Sequence, residues 1–242
     1  MSLGRPQLHL RETDSTNERA KALAIGGAPH GTLVTAEAQT AGHGRLGRAW
    51  VAPPGSSVLA SLVVRGLGER LAYLPLAAAV AVSEACECCA PVACTIKWPN
   101  DVWIDGRKVA GILLEGRPED GWAVLGIGLN VATRAEDFPA DLSAHATSLA
   151  AATPGARPPA VEDALAALLA ALARRLGAPP EEVVSAWSER DALRDRRIRW
   201  DGGEGLGRGI AASGALRVET AAGELELHAG EVALVRPADH GG

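Results

Sequence analysis

The stretch KWPNDVWIDGRKVAGILLE (97–115) decides how this chain folds. Two apolar runs flank Asp105-Gly106, a dipeptide that favours a two-residue hairpin because both central positions take positive φ. Strands joined by so short a turn pair antiparallel, which argues for α+β over a doubly wound parallel sheet. Pro99 fixes the backbone ahead of the first run, and Lys97, Asn100 and Asp101 set a cation, an amide and a carboxylate within five positions. A Pro-Asn-Asp turn would explain the later residues but not the Lys97-Trp98 pair before them. On the returning run, strict alternation puts Lys108 on the face of Ala110, Ile112 and Leu114, where an ammonium is costly unless it meets an anion. The plainer alternative is a lysine snorkelling to water from a strand end. The turn brings Lys108 back towards Asp101, so both stretches are expected to line one site.

Outward from this hairpin, QLHLRE (7–12), GTLVTAEAQ (31–39), SVLASLVV (57–64) and WAVLGIGLNV (122–131) read as strands. Ser15-x-x-Glu18 is a capping-box pattern and opens a helix that ends before Gly26-Gly27. Residues 70–89 suit a buried helix, ALAALLAALARRL (164–176) is amphipathic, and PEEVVSAWSERDAL (180–193) reads as a further helix. After about residue 194 the texture changes to short alternating strands between Gly-rich turns, which reads as a small β-barrel. The expected organisation is a main domain over 1–192 and a small C-terminal β-barrel over 193–242.

At 242 residues and 47% hydrophobic, the chain can build a sizeable core. Aromatics are only 3%, so that core is largely aliphatic and each of the six tryptophans needs a reason. A net charge of −5 gives no general attraction to nucleic acid, so any anion recognition is local. The longest apolar run, LPLAAAVAV (74–82), stops at Ser83-Glu84, short of a bilayer span, and the first residues lack an apolar signal core. A cytoplasmic protein without membrane or DNA partners is expected. The cysteines of CECC (86–89) and Cys94 lack zinc-type spacing, and small buried thiols are the expected reading.

The loop AGHGRLGRAW (41–50) interleaves glycines, which let a backbone approach a ligand closely, with Arg45 and Arg48, whose forked donors suit phosphate or carboxylate. Trp50 adds a flat apolar surface. A solvated flexible loop is the competing reading. In GIGLN (126–130) Gly126 and Gly128 interrupt an apolar strand, as where a ligand or another backbone approaches, and Asn130 offers a donor and an acceptor. In DSTN (14–17), hydroxyls and an amide at a helix start suit a small polar neutral group, whether or not Ser15 also caps the helix.

Taken in order, DSTN, EAQTAGHGRLGRAW, KWPNDVWIDGRKVAGILLE, GIGLN and a C-terminal module ending in HAGEV resemble the biotin–protein ligases, over nearly the whole chain. The resemblance implies a central mixed β-sheet with flanking helices, like that of class II tRNA synthetases, plus a small C-terminal β-barrel. It implies biotinyl-5′-adenylate formation from biotin and ATP with Mg2+, then transfer to a lysine of the biotin carboxyl carrier domain of acetyl-CoA carboxylase or a related carboxylase. Carried over by position, Ser15, Thr16 and Asn17 would hold the ureido ring with Gln39 nearby, and His43, Gly44 and Arg45 would fold over biotin. Lys108 would contact the biotin carboxylate and α-phosphate. Lys97, Asn100 and Asp101 would serve phosphate and magnesium, Arg48 phosphate, Trp50 adenine and Asn130 the nucleotide. Lys108, Arg45, Lys97 and Asp101 form the expected catalytic set, and Asp101 is also the expected magnesium ligand and a candidate aid to deprotonating the acceptor lysine.

The chain departs from the family at His43, where an arginine is common, and in RGIAASGAL (208–216), which lacks an acidic residue after Gly-Ile. DSTN begins at residue 14, which predicts a ligase without a DNA-binding module, and a homodimer is an open expectation. The loop is expected to be open or disordered without ligand and ordered with it. Two rivals stand: a lipoate or octanoate ligase of the same superfamily, and a non-catalytic biotin-binding or carrier-docking protein.

Overall fold

Two sheets carry the chain. The computed structural model describes residues 3–66 and 68–235. The larger sheet holds β1 (Gln7–Thr13), β2 (Leu33–Gln39), β3 (Ser57–Arg65), β4 (Cys94–Lys97), β5 (Asp101–Ile104), β6 (Arg107–Arg117) and β7 (Trp122–Asn130). Its seven strands run in the order β1-β2-β3-β7-β6-β5-β4. β1 and β2 pair in parallel and every other pairing is antiparallel, so the sheet is mixed. Helix α1 (Thr16–Ile25) covers one face, where Ala20 and Ala24 pack on Val34, Val63 and Val124. Helices α2 (Leu74–Cys89) and α4 (Val161–Gly177) cover the other, with α3 (Leu149–Ala152) and α5 (Pro180–Ser188) completing the helical complement.

The β5–β6 turn forms as its sequence requires: Asp105 and Gly106 take φ of +49° and +73°. The strand after it differs from simple alternation. Val102 pairs with Ala110 and Trp103 with Lys108, so Val109 is an extra residue, a bulge in β6. The bulge reverses the parity of everything before it. Lys108 therefore leaves the apolar face of Ala110 and Ile112 and joins Gly111 on the opposite face; its Nζ lies 3.0 Å from where a Gly111 Cβ would stand. The lysine is not buried among apolar side chains, and the expectation that it shares their face is corrected.

The α1 entry also departs from its pattern. Ser15 precedes the helix in an extended conformation, but its side chain makes no capping hydrogen bond. The Asp14 carboxylate accepts from the Ser15 N–H instead, at 2.7 Å, which leaves the Ser15 hydroxyl uncommitted to the helix. On the other face, Arg70–Cys89 is long and apolar enough by composition to cross a bilayer, contrary to the reading of 74–82 as too short, and 61% of its most apolar window is buried inside the protein. The polar residues that appeared to end this run are accommodated: buried Ser83 donates to the Ala79 carbonyl, and Glu84 pairs with Arg174 and Arg175 of α4. Cys86 and Cys94 are buried free thiols, and the neighbouring Cys94 thiol together with burial pushes the Cys86 thiol well up from its ordinary value.

The second sheet is antiparallel, with β8 (Arg197–Trp200), β9 (Gly203–Ile210), β10 (Leu216–Thr220), β11 (Gly223–Leu227) and β12 (Ala233–Leu234) in the order β11-β10-β9-β8-β12. Ile198, Ile210, Leu216, Val218 and Val232 extend the main core rather than forming a separate one. Trp98, buried after β4, donates its indole N–H to the Gly214 carbonyl at 3.1 Å and ties the sheets together. Residues 236–242 of the expected C-terminal unit lie outside the described residues.

Candidate active site

A cavity of about 460 Å3 opens on the α1 face of the large sheet. Its floor is built by β3, β6 and β7, which direct Ser61, Gly111, Gly126 and Gly128 to this side while Val58, Ala60, Leu125 and Leu129 face the core. Two glycines are required by close approach. A Cβ on Gly126 would stand 2.8 Å from Asn17 Cγ, and one on Gly128 would stand 2.6 Å from Trp50 Cζ2. The missing side chains make room for Asn17 and Trp50, which line the cavity.

One end is polar and neutral. The Thr16 N–H and hydroxyl lie 2.7 and 3.0 Å from Gln39 Oε1. Buried Ser61 sits under both neighbours, its Oγ 2.8 Å from Thr16 Oγ1 and 2.5 Å from Asn17 Oδ1. Asn17 Nδ2 donates to Glu115 at 2.8 Å, so Asn17 Oδ1 faces Ser61 as an acceptor. The Thr16 hydroxyl donates to Gln39 Oε1 and the Ser61 hydroxyl to Asn17 Oδ1, so both amide oxygens have a donor. The Ser15 hydroxyl and Gln39 amide stand beside this cluster on the same wall.

The other end is cationic. Lys108 and Asp101 form an ion pair at 2.7 Å, and the Lys108 ammonium lies 5.6 Å over the Trp50 ring. Lys97 lies 5.5 Å over Trp103, and burial pulls its pKa below the ordinary lysine value despite the opposing Asp101 charge. Asn100 is a brace: its amide donates to the Ile112 carbonyl at 2.8 Å, and Arg45 approaches its oxygen at 3.5 Å. Asn130 is buried with its amide committed to the Thr147 carbonyl at 3.0 Å and its oxygen 3.3 Å from Ser57 Oγ. Asn130 thus anchors the chain at Thr147 and also lines the cavity. Both lysines, the loop arginines, Trp50, His43 and Gly44 line the same cavity.

The glycine-arginine loop folds across this space as a short bridged hairpin. His43 pairs with Ala49, Gly44 N–H donates to the Arg48 carbonyl at 2.7 Å, and Trp50 N–H donates to the Gly42 carbonyl at 2.9 Å. Leu46 at its tip takes φ of +55° and is 76% exposed. Arg48 reaches the carboxylate of Glu231, so the second sheet's final connection contributes to the wall. His43 Nε2 lies 3.5 Å from Glu115 and 3.8 Å from Glu18.

Sequence reasoning missed several wall residues. Phe138, Leu142, His145 and Ala146 line the cationic end from the connection after β7. That connection is pinned where Lys108 N–H donates to the His145 carbonyl and Thr147 N–H donates to the Lys108 carbonyl, each at 2.8 Å. Glu231 of the HAGEV stretch and Trp103 also line the cavity, while Glu115, the end of the returning run, stands behind the wall against Asn17.

Comparison with known proteins places this geometry in context. Residues 10–131 match the biotin/lipoate A/B protein ligase family. The chain is 40% identical over 156 residues to the bifunctional ligase/repressor BirA of Bacillus spizizenii, covering 62% of this chain and 48% of that protein. It is 42% identical over 157 residues to the biotin–[acetyl-CoA-carboxylase] ligase of Paracoccus denitrificans, covering 62% of this chain and 60% of that one. The matched region thus spans about half the length of the first of these relatives. Among solved structures, the biotin protein ligase of Aquifex aeolicus in complex with biotin and ATP superposes with a TM-score of 0.83 at 29% identity, over 96% of this chain and 99% of that one.

Proposed function

Because the chain belongs to the biotin/lipoate A/B protein ligase family, we propose that it activates biotin with ATP to biotinyl-5′-adenylate and transfers the biotin to a carrier lysine. The carrier is the biotin carboxyl carrier domain of acetyl-CoA carboxylase or a related carboxylase. The observation that carries this choice within the family is the set of neutral donors and acceptors that Ser15, Thr16, Asn17 and Gln39 place at one end of the cavity, away from its cations. A ureido ring brings N–H donors to that end and a carbonyl for Ser15 or Gln39, while its valerate carboxylate points to the cationic end. A lipoyl ring brings neither N–H nor carbonyl and would set an apolar dithiolane against these polar groups.

In the first step an oxygen of the biotin carboxylate attacks the α-phosphorus of ATP. The bond from that phosphorus to the bridging oxygen breaks, and pyrophosphate leaves. Two anions must meet, so the contribution of the protein is position and fixed positive charge rather than a nucleophilic side chain. Lys108 is assigned to the meeting point, held by Asp101 at 2.7 Å. Arg45, Arg48 and Lys97 are assigned to the phosphates, with Arg48 exchanging Glu231 for phosphate. Trp50, Phe138 and Leu142 offer apolar surface for the adenylate, and Asn100 and Asn130 brace the segments around it. In the second step the amine of the carrier lysine attacks the acyl carbon and AMP leaves. The amine loses a proton, for which Asp101 is a cavity carboxylate within the assigned site.

Magnesium is held in such sites by one or two carboxylates together with phosphate oxygens. Asp101 and Glu231 on this wall, each paired with a base that phosphate can also take, fit that donor set. Asp101 would hold the ion, which neutralises phosphate charge when bound. The unit from residue 193, which we take to close as a small barrel, adjoins the cavity through Glu231 and Val232 and is assigned to meeting the carrier domain.

ATP–pyrophosphate exchange with biotin against lipoate tests the assignment. Exchange driven by biotin is expected. Exchange with lipoate alone moves the chain to the other branch of its family, and exchange with neither leaves a binding protein.

A further inference from the structure

We propose that Glu115 is a positioning residue serving two parts of the site at once: it orients the Asn17 amide and it receives His43 of the loop. Ring recognition and loop closure are thereby coupled through one carboxylate. The proposal rests on the biotin reading above and goes beyond it, because Glu115 stands behind the cavity wall and acts through Asn17 and His43.

The first half follows from hydrogen-bond direction. Glu115 Oε2 takes the Asn17 Nδ2 proton at 2.8 Å. An ionised carboxylate only accepts, so it dictates which end of the neighbouring amide turns towards it. Asn17 must then present Oδ1 to Ser61 and the cavity floor. Hydrogen bonds from Asn17 and Lys21 and the charges of Lys21 and His43 outweigh burial and hold the Glu115 carboxyl below its ordinary pKa, so this direction is maintained. Without Glu115 the amide could turn over, and the floor would offer a donor where a ureido N–H arrives.

The second half follows from the charges around His43. Its Nδ1 lies 3.4 Å from the Ala41 carbonyl, and its Nε2 faces Glu115 at 3.5 Å and Glu18 at 3.8 Å. Both ring nitrogens therefore face oxygen acceptors. Lys21 of α1 is the other cation present, 2.6 Å from Glu18 and 3.4 Å from Glu115. Glu18, His43 and Glu115 are also close enough together to ligate a metal, but the Lys21 ammonium already supplies the cation between the two carboxylates. Arg45 and Arg48 of the same loop are turned elsewhere, to Asn100 and Glu231. Of the two carboxylates facing His43, Glu18 is the farther and is committed to Lys21, so Glu115 is the principal partner.

Histidine is the side chain that changes charge between about pH 5 and 8. Protonation strengthens the His43 contact, so closure is favoured on the acid side and weakens as pH rises. Biotin dissociation from the full chain, followed by stopped flow, should therefore slow about two- to fivefold between pH 8 and pH 6, the scale of a partly exposed ion pair. His43→Ala should dissociate fast at every pH. His43→Arg, with a permanent charge, should dissociate slowly at every pH. Glu115→Gln should lose more than half of the pH response, and the double variant His43→Arg, Glu115→Gln should not recover slow release. Thermal unfolding near that of the unsubstituted protein confirms that these variants fold. A flat profile in the unsubstituted protein overturns the proposal, as does a Glu115→Gln response at least half intact, or slow release from the double variant. Failure to bind biotin at all would instead refute the functional assignment.

Discussion

The two faces of the large sheet are made from the same strands by opposite rules. On the α2 and α4 side, Val58, Ala60, Leu62, Leu125, Ile127 and Leu129 fill the space with aliphatic side chains. On the α1 side the same strands carry Ser61, Gly126 and Gly128, and the space the glycines leave admits Asn17 and Trp50 of the cavity wall. One face maximises burial and the other withholds it. Stability is expected to reside on the first face and recognition on the second, so substitutions on the two should separate cleanly into effects on folding and effects on chemistry.

The largest effect is expected at the cavity. Lys108→Ala removes a fixed cation from the meeting point of two anions, and single-turnover adenylate formation should fall about 10²–10³-fold with thermal unfolding unchanged. A near-normal rate would transfer the catalytic role to another cation such as Lys97. On the core face, Leu129→Ala should lower unfolding free energy by about 2–5 kcal/mol in denaturant titration while the folded protein binds biotin normally. Weakened binding with intact stability would erase the distinction between the faces.

Gly128→Ala on the cavity face should do the reverse. Its Cβ would press on the Trp50 indole, and biotin binding measured by calorimetry should weaken to an extent equivalent to about 1–3 kcal/mol of overpacking. A loss of stability as large as that of Leu129→Ala would mean that this glycine serves folding instead.

The smallest effect belongs to the ion pairs behind the core face. Burial raises the pKa of Glu84, but Arg175 and Arg174 outweigh it and leave the carboxyl below its ordinary value. Such a group stabilises the fold above its unfolded pKa, about 4.3, and loses that contribution as pH falls through the lower folded value. Glu84→Gln should cost under about 1 kcal/mol at pH 7, shrinking to nothing in acid. A deficit that persists at pH 3 would mean that packing, not charge, is lost.

Local chemistry explains what was legible in advance. The Asp105-Gly106 turn declared itself because few other residues accept positive φ twice in succession. The glycines of GIGLN and the clustered polar groups of DSTN and KWPND pointed to one site because side chains of those types are seldom placed together for packing alone. Lys108 was identified for a reason that did not survive: the bulge at Val109, invisible to alternation, moves it to the cavity face. Asn130 was identified as a polar group near ligand, yet its partner Thr147 lies across a connection whose path no local pattern encodes.

Glu231, although it lies in HAGEV, and the wall from Phe138 to Ala146 were missed for the same reason: they reach the cavity by long-range folding. The second sheet was foreseen as short strands, but its β8–β12 pairing and its share in the main core depend on tertiary contacts.

The division of the cavity into a neutral polar end and a cationic end is tested most directly by a crystal structure of the protein with biotin bound. The account predicts the ureido ring against Ser15, Thr16, Asn17 and Gln39, with the valerate carboxylate directed to Lys108. A ring seated at the Lys97 and Trp103 end, or biotin bound outside the cavity, would contradict it.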